Sequence, residues 1–93
     1  MSLTAHPGAI LRDITIPGLG ISKKEFAARL DMSRVALDNI LREKTSITPN
    51  VAGKLSFLLG GSAKFWLSFQ AEHDIALAKE TLKPENFPAL ITA

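Results

Sequence analysis

The sequence predicts an all-α domain built as a bundle of five helices. Hydrophobic residues make up 46% of the chain, and many recur at helical spacing. A capping residue or a proline precedes each apolar stretch, as at helix starts. β-branched residues are scattered, and no segment alternates as a half-buried strand does. With 93 residues, the chain has the size of one domain with one core.

The first helix is predicted to begin near Pro7, because proline in the first turn loses no needed hydrogen bond. His6 is expected to cap this helix. Its apolar stripe is formed by Ile10, Leu11 and Ile14. A break in the chain is predicted at Pro17, Gly18 and Gly20.

Two short helices should follow. Ser22 and Glu25 have the spacing of a capping box, which starts the second helix. Its buried side carries Phe26, Ala27 and Leu30. Asp31 and Met32 are predicted to form a tight turn, and Ser33 caps a third helix. The buried side of the third helix carries Leu37, Ile40 and Leu41.

Thr48 and Pro49 predict the start of a fourth helix, which Gly60 and Gly61 should end. Its buried face is assigned to Val51, Ala52, Leu55, Leu58 and Leu59. Ser62 caps a fifth helix that runs to about Lys79, a length of about 27 Å. The prolines beyond Leu82 favour an irregular tail.

The second and third helices have the spacing of a helix-turn-helix. The small residue Ala27 suits a steep helix crossing, and Asp31 tolerates the left-handed backbone of the turn. Leu37 and Ile40 then anchor the third helix, which leaves its other side exposed. A helical hairpin with a solvated polar face is the alternative, and this combination of residues favours DNA binding.

The exposed residues of the third helix have side chains suited to base edges. Arg34 can bond guanine, Asn39 can bond adenine, and Val35 can touch a thymine methyl group. Asp38 can accept a hydrogen bond from cytosine or orient a neighbour. Lysines beside the helix-turn-helix can contact phosphates, and such contacts set the register of a protein on the duplex. The predicted DNA-binding residues are Lys23, Ser33, Arg34, Val35, Asp38, Asn39, Arg42 and Lys44.

The charge distribution agrees with this prediction, although the net charge of +2 is small. Residues 1–54 contain eight Lys or Arg and five acidic residues, whereas the remainder contains three and four. The basic excess therefore lies in the half that carries the helix-turn-helix.

Other classes of function lack support in the sequence. The absence of cysteine excludes thiolate chemistry, and no acidic residue accompanies His6 or His73 at zinc-ligand spacing. His73 is expected on a partly exposed side of the fifth helix. We expect no metal, no cofactor and no enzymatic activity. Without a signal peptide or a membrane-length apolar run, we expect a cytoplasmic protein that does not engage a membrane.

Several short motifs between His6 and Leu77 resemble one bacterial family. They are His6-Pro7-Gly8, Ile10-Leu11-Arg12, the segment Ser22–Leu41, Ile47-Thr48-Pro49 with Ala52 and Leu55, and Gly61-Ser62 with Phe65-Trp66-Leu67 and Gln70. On these residues the chain resembles the HigA/VapI antitoxins of the Xre/Cro-type helix-turn-helix group. The first and last motifs are the most specific.

This resemblance implies a lambda-repressor-like five-helix fold and a homodimer. It implies binding to double-stranded operator DNA in the antitoxin's own promoter, repression of that operon, and neutralisation of a RelE-like mRNA endonuclease toxin. The chain departs from the family at Asp31, where glycine is usual, and at Arg42-Glu43, where Asn-Gly is common. Acidic residues are also common at the positions of Asn50 and Lys64.

The fifth helix is apolar on more than one face, which predicts more than one packing partner. Trp66 and Phe69 are assigned to the core, and later residues such as Ile75 and Leu77 to a dimer contact. Alternatively, the segment Leu82–Ile91 folds back over this surface. We expect residues 1–80 to form the DNA-binding and dimerisation domain and residues 81–93 a tail. A regulator with no toxin partner and a module that binds only protein remain as alternatives.

Overall fold

A computed structural model describes residues 4–91, and within this range the chain is helical, with no strand. The α-helices are α1 (Pro7–Ile10), α2 (Ile16–Leu19), α3 (Lys23–Arg29), α4 (Arg34–Leu41), α5 (Pro49–Leu59) and α6 (Ala63–Thr81). A π-helical turn, Leu11–Thr15, joins α1 to α2 without a break. A 3₁₀ turn, Pro84–Asn86, lies in the tail. With this turn, α1 and α2 form one N-terminal helix, so α3 to α6 bring the number of helices to five. The predicted all-α fold with five helices is therefore confirmed.

The predicted break at Pro17, Gly18 and Gly20 is wrong in its position. Pro17 lies within this continuous helix, at the second residue of α2, and the helix ends only at Gly20 with φ 69°. The amide of Ile16 bonds the carbonyl of Leu11, five residues earlier. This longer period moves Ile16 into the core, whereas Ile14, predicted to be buried, is 51% exposed.

The caps predicted at His6, Ser22, Ser33, Thr48 and Ser62 are confirmed. Nδ1 of His6 accepts a 2.8 Å hydrogen bond from the amide of Gly8. At the starts of α3 to α6, the hydroxyl oxygens of Ser22, Ser33, Thr48 and Ser62 accept from the amide three residues ahead. These bonds satisfy amides that have no partner within the helix, so the local sequence fixes where each helix begins.

The core lies between the N-terminal helix, the α3–α4 pair and the first halves of α5 and α6. Its buried apolar residues are Ile10, Leu11, Ile16, Phe26, Ala27, Leu30, Leu37, Ile40, Leu41, Ile47, Ala52, Leu55 and Trp66. Phe69 packs against this cluster, as predicted. The assignment of Leu58 to the buried face of α5 is wrong, because its side chain is 42% exposed. Only Ala52 and Leu55 are fully buried on that helix.

The tail does not fold back over α6, so that alternative is contradicted. Every residue of the segment Leu82–Ile91 is exposed, and Leu90 is 100% exposed. Ile75 and Leu77 on α6 are also about half exposed. An apolar surface made of the end of α6 and the tail, residues 75–91, is therefore left uncovered by the rest of the described residues. No helix in the described part of the chain has the length and apolar character to span a bilayer.

Candidate nucleic-acid interface

The turn between α3 and α4 has the geometry of a helix-turn-helix. The amide of Asp31 bonds the carbonyl of Ala28, and the amide of Met32 bonds that of Ala27, both at 3.1 Å. These two bonds form a Schellman motif, which requires a left-handed residue just beyond the helix. Asp31 takes that conformation with φ 51°, although it is not glycine. The predicted role of Asp31 in the turn is confirmed.

The buried residues on both sides of the turn hold α4 against the core. Ala27 is 3% exposed, Leu37 is 0% exposed and Ile40 is 4% exposed. α4 thus buries one side completely and presents its other side outward. The predicted anchors are confirmed, and their burial determines which residues of α4 can meet a partner.

The same motif recurs at the other end of α4. Glu43 has φ 64°, its amide bonds the carbonyl of Ile40, and the amide of Lys44 bonds the carbonyl of Asn39. Glu43 therefore occupies the left-handed position that a glycine would fill at lower cost. The second Schellman motif sends the chain sharply away after Arg42, so this end of the exposed surface is well defined.

Three of the predicted DNA-binding residues share the exposed side of α4. Arg34 is exposed, and its Nε donates to Oδ1 of Asp38 at 3.3 Å. Val35 is 70% exposed, so its branched apolar side chain is open to a partner. Asp38 is half-buried, and its pairing with Arg34 corresponds to the orienting role predicted for it. These positions form one patch that is open to solvent.

The remaining predicted residues surround this patch. Asn39 is half-buried, while Arg42 and Lys44 are exposed at the end of α4. Lys23 is exposed at the first position of α3. The hydroxyl oxygen of Ser33 accepts a 3.0 Å bond from the amide of Ala36, which leaves its proton available to an acceptor. We name these five residues, together with Arg34, Val35 and Asp38, the α4 surface.

Arg12 joins the end of α4 to the N-terminal helix, a contact that was not predicted from the sequence. Its Nη1 donates to the carbonyl of Leu41 at 2.9 Å and lies 3.3 Å from Oε2 of Glu43. Hydrogen bonding to Asp13 raises the pKa of the Arg12 guanidinium and lowers the pKa of the Asp13 carboxyl. No local pattern links residues so far apart in sequence, so sequence reasoning had no signal for this contact.

Two other contacts also escaped the sequence analysis. Oε1 of the buried Gln70 accepts a 2.9 Å hydrogen bond from the amide of Ile47. The rings of His6 and His73 meet edge to face, with their centroids 5.1 Å apart. Nδ1 of His73 donates a hydrogen bond to the carbonyl of Thr4. Burial and the neighbouring His73 lower the pKa of His6. Within residues 4–91 no group of three possible metal-ligating side chains occurs.

The turn, the buried anchors and the outward side of α4 together define a helix-turn-helix protein. A helix-turn-helix family model matches residues 18–66, more than half of the chain, and the chain belongs to that family. It is 35% identical over 81 residues to Virulence-associated protein I of Dichelobacter nodosus, covering 87% of this chain and 75% of that protein. It is 30% identical to the transcriptional regulator YddM of Escherichia coli K12, covering 99% of both.

The structural comparison agrees with the sequence comparison. The chain resembles the Pseudomonas aeruginosa antitoxin HigA, which was solved with the higBA promoter. The two superpose with a TM-score of 0.82 at 30% sequence identity, over 96% of each chain. The predicted resemblance to HigA/VapI proteins is thereby confirmed.

Proposed function

We propose that the protein is an antitoxin that binds operator DNA, represses its own operon and neutralises a toxin. The observation that carries this proposal is the exposed patch of Arg34, Val35 and Asp38 on a helix that the core holds by its opposite side. The likeness to an antitoxin solved with a promoter supports the same function. The protein acts by binding, in the cytoplasm, and not as an enzyme.

In this proposal, α4 enters the major groove. Arg34 bonds O6 and N7 of guanine, and Asn39 bonds N6 and N7 of adenine. Val35 contacts a thymine methyl group with its branched side chain, which is 70% exposed. Asp38 holds the guanidinium of Arg34 in place. Together these contacts provide the sequence specificity.

Residues around the helix contact the DNA backbone. Lys23, Arg42 and Lys44 are exposed cations that can pair with phosphates. Ser33 stands at the N-terminal end of α4, where a free hydroxyl proton and the helix dipole both favour an anion. These contacts set the register of the protein on the duplex and account for most of the salt dependence.

We propose further that the protein is a homodimer through the apolar surface of residues 75–91. A two-fold axis there presents two copies of α4 about 34 Å apart, one turn of DNA. Light scattering at micromolar concentration should give the mass of a dimer. Ile75→Asp should give a monomer, whereas Phe57→Asp, on the 90% exposed Phe57 of α5, should not. A monomeric wild type would contradict this part of the proposal.

Binding to the upstream promoter tests the DNA function directly. A gel-shift or anisotropy titration with the region upstream of the gene should show specific binding that weakens steeply as salt rises, because phosphate contacts release counterions. Scrambled DNA of equal length is the control. Equal affinity for the two fragments would refute sequence-specific binding, and no binding to either would favour a module that contacts only protein.

The toxin is proposed to be a small RelE-like mRNA endonuclease. Its gene should lie directly beside this one, and the native chain should retain that protein through purification. The second candidate function is a transcriptional regulator with no toxin partner, which the similarity to YddM over 99% of both chains favours. Promoter binding without a neighbouring toxin gene, and without a co-purified small protein, would support this second function.

A further inference from the structure

The carbonyl groups at the C-terminal end of α4 are bonded in two different ways. Backbone amides of residues 42–44 donate to the carbonyls of residues 38–40, each at 2.9 Å. The next carbonyl, that of Leu41, accepts its 2.9 Å bond from Nη1 of Arg12, which lies 29 residues earlier in the chain. The last turn of α4 is therefore completed by a side chain of another helix.

Arg12 is itself held in a fixed orientation. Its Nε and Nη2 donate to the two carboxylate oxygens of Asp13 at 2.8 and 2.9 Å. A planar guanidinium paired in this way has its remaining N–H groups fixed in the same plane. Nη1 is consequently aimed at Leu41 and Glu43.

The charge of Arg12 also suits its position. A cation at a helix C-terminus stabilises the partial negative charge of the last carbonyls. The same guanidinium lies against the carboxylate of Glu43, the left-handed residue beside Arg42 and Lys44. Arg12 thus offsets a negative charge at the edge where we propose that phosphates bind.

A second contact reinforces the link between the N-terminal helix and α4. A Cβ atom at Gly8 would overlap the carbonyl oxygen of Ile40, so the backbone of α1 rests directly on the last turn of α4. The neighbouring carbonyls of Ile40 and Leu41 are therefore both in contact with the N-terminal helix.

We propose that Arg12 is a positioning residue for DNA recognition, which fixes the C-terminal end of α4 so that Asn39 and Arg42 meet the duplex in register. Arg12 does not contact DNA in this account. The proposal rests on the proposed DNA binding, and it adds a specificity role for a residue outside the helix-turn-helix.

The experiment compares Arg12→Ala, Arg12→Lys and a charge-matched control, Lys64→Ala on the exposed start of α6. The affinity of each is measured for operator and scrambled DNA at several salt concentrations. Arg12→Ala should lose at least about tenfold in operator affinity, keep its affinity for scrambled DNA, and keep the salt slope of the wild type. Arg12→Lys keeps the charge without the planar guanidinium, so its operator affinity should lie between those of the wild type and Arg12→Ala. Lys64→Ala should match the wild type.

Hydrogen exchange on the free protein separates failure of this inference from failure of the DNA function. In Arg12→Ala, the amides of residues 42–44 should exchange faster, while those of α5 should not change. Loss of affinity for both DNAs with a salt slope reduced by about 1 would identify Arg12 as a phosphate contact and overturn the proposal. Unchanged exchange and unchanged operator affinity would also overturn it. A wild type that binds no DNA would refute the proposed function, while faster exchange in Arg12→Ala would still show that Arg12 holds the C-terminal end of α4.

Discussion

Nε of Arg34 and Oδ1 of Asp38 lie 3.3 Å apart, one helical turn from each other on the exposed side of α4. Their side chains are 49% and 32% exposed, so this pair contributes little to stability. The pair orients Arg34, because Asp38 limits the directions in which the guanidinium can point. We therefore expect Asp38 to hold Arg34 in the orientation in which it bonds guanine.

Asp38→Ala should weaken operator binding several-fold while leaving the melting temperature nearly unchanged. The control is Glu25→Ala, which removes an equal charge and breaks the equivalent Arg29–Glu25 pair on α3. That variant should bind the operator like the wild type. Anisotropy titrations of both variants check the prediction, and tighter or unchanged binding of Asp38→Ala would contradict the orienting role.

Leu37→Ala should destabilise the protein by about 2–5 kcal/mol, because Leu37 is fully buried between α4 and the core. Val35→Ala on the same helix removes a side chain that is 70% exposed, so its effect should be within about 0.5 kcal/mol. Chemical denaturation of the two variants measures the difference. Equal stabilities would mean that the buried side of α4 is misassigned.

Gly8→Ala should destabilise by about 1–3 kcal/mol, since the new methyl group would overlap the backbone of Ile40. Gly18→Ala provides a matched control in α2, where no atom lies within 4 Å of a new Cβ. That change should stabilise by up to about 1 kcal/mol, because it restricts the unfolded chain. Thermal melts of the pair should shift in opposite directions, and a neutral Gly8→Ala would refute the close contact between α1 and α4.

Stability should fall through His6 as the pH drops below about 6.5, the ordinary pKa of histidine. Burial and the charge of His73 lower the pKa of His6 in the folded state, so the unfolded chain binds more protons in this range. The stability that neutral His6 contributes is complete above the unfolded-state pKa. It is lost as the pH falls from the unfolded-state pKa to the folded-state pKa. In His6→Asn, which keeps a capping oxygen but does not titrate, melting temperatures over this range should change less. An identical pH profile would contradict the prediction.

Much of the fold follows from local sequence because local bonds determine the helix ends. Ser22, Ser33, Thr48 and Ser62 cap helices through amides three residues away, and the cap spacing is visible in the sequence. Asp31 was predicted in the turn for the same reason, since its left-handed backbone is a property of that residue and its neighbours.

The error at Ile14 arose because a departure from regular helical geometry shifts the periodicity. The π-helical turn places Leu11 and Ile16 on one side, so a regular helical period assigned Ile14 to the core in error. The contact between Arg12 and Leu41 could not be predicted at all, because it depends on how two helices pack. The outward side of α4 was predictable, because the spacing of Leu37 and Ile40 identifies the buried side and the exposed residues lie opposite it.

The most direct test of the account is operator binding by Arg34→Ala and Asn39→Ala, measured beside the wild type on the same promoter fragment. Each variant should lose on the order of 1–3 kcal/mol of binding free energy, with an unchanged melting temperature. If both variants bind the promoter as tightly as the wild type does, α4 does not read the operator.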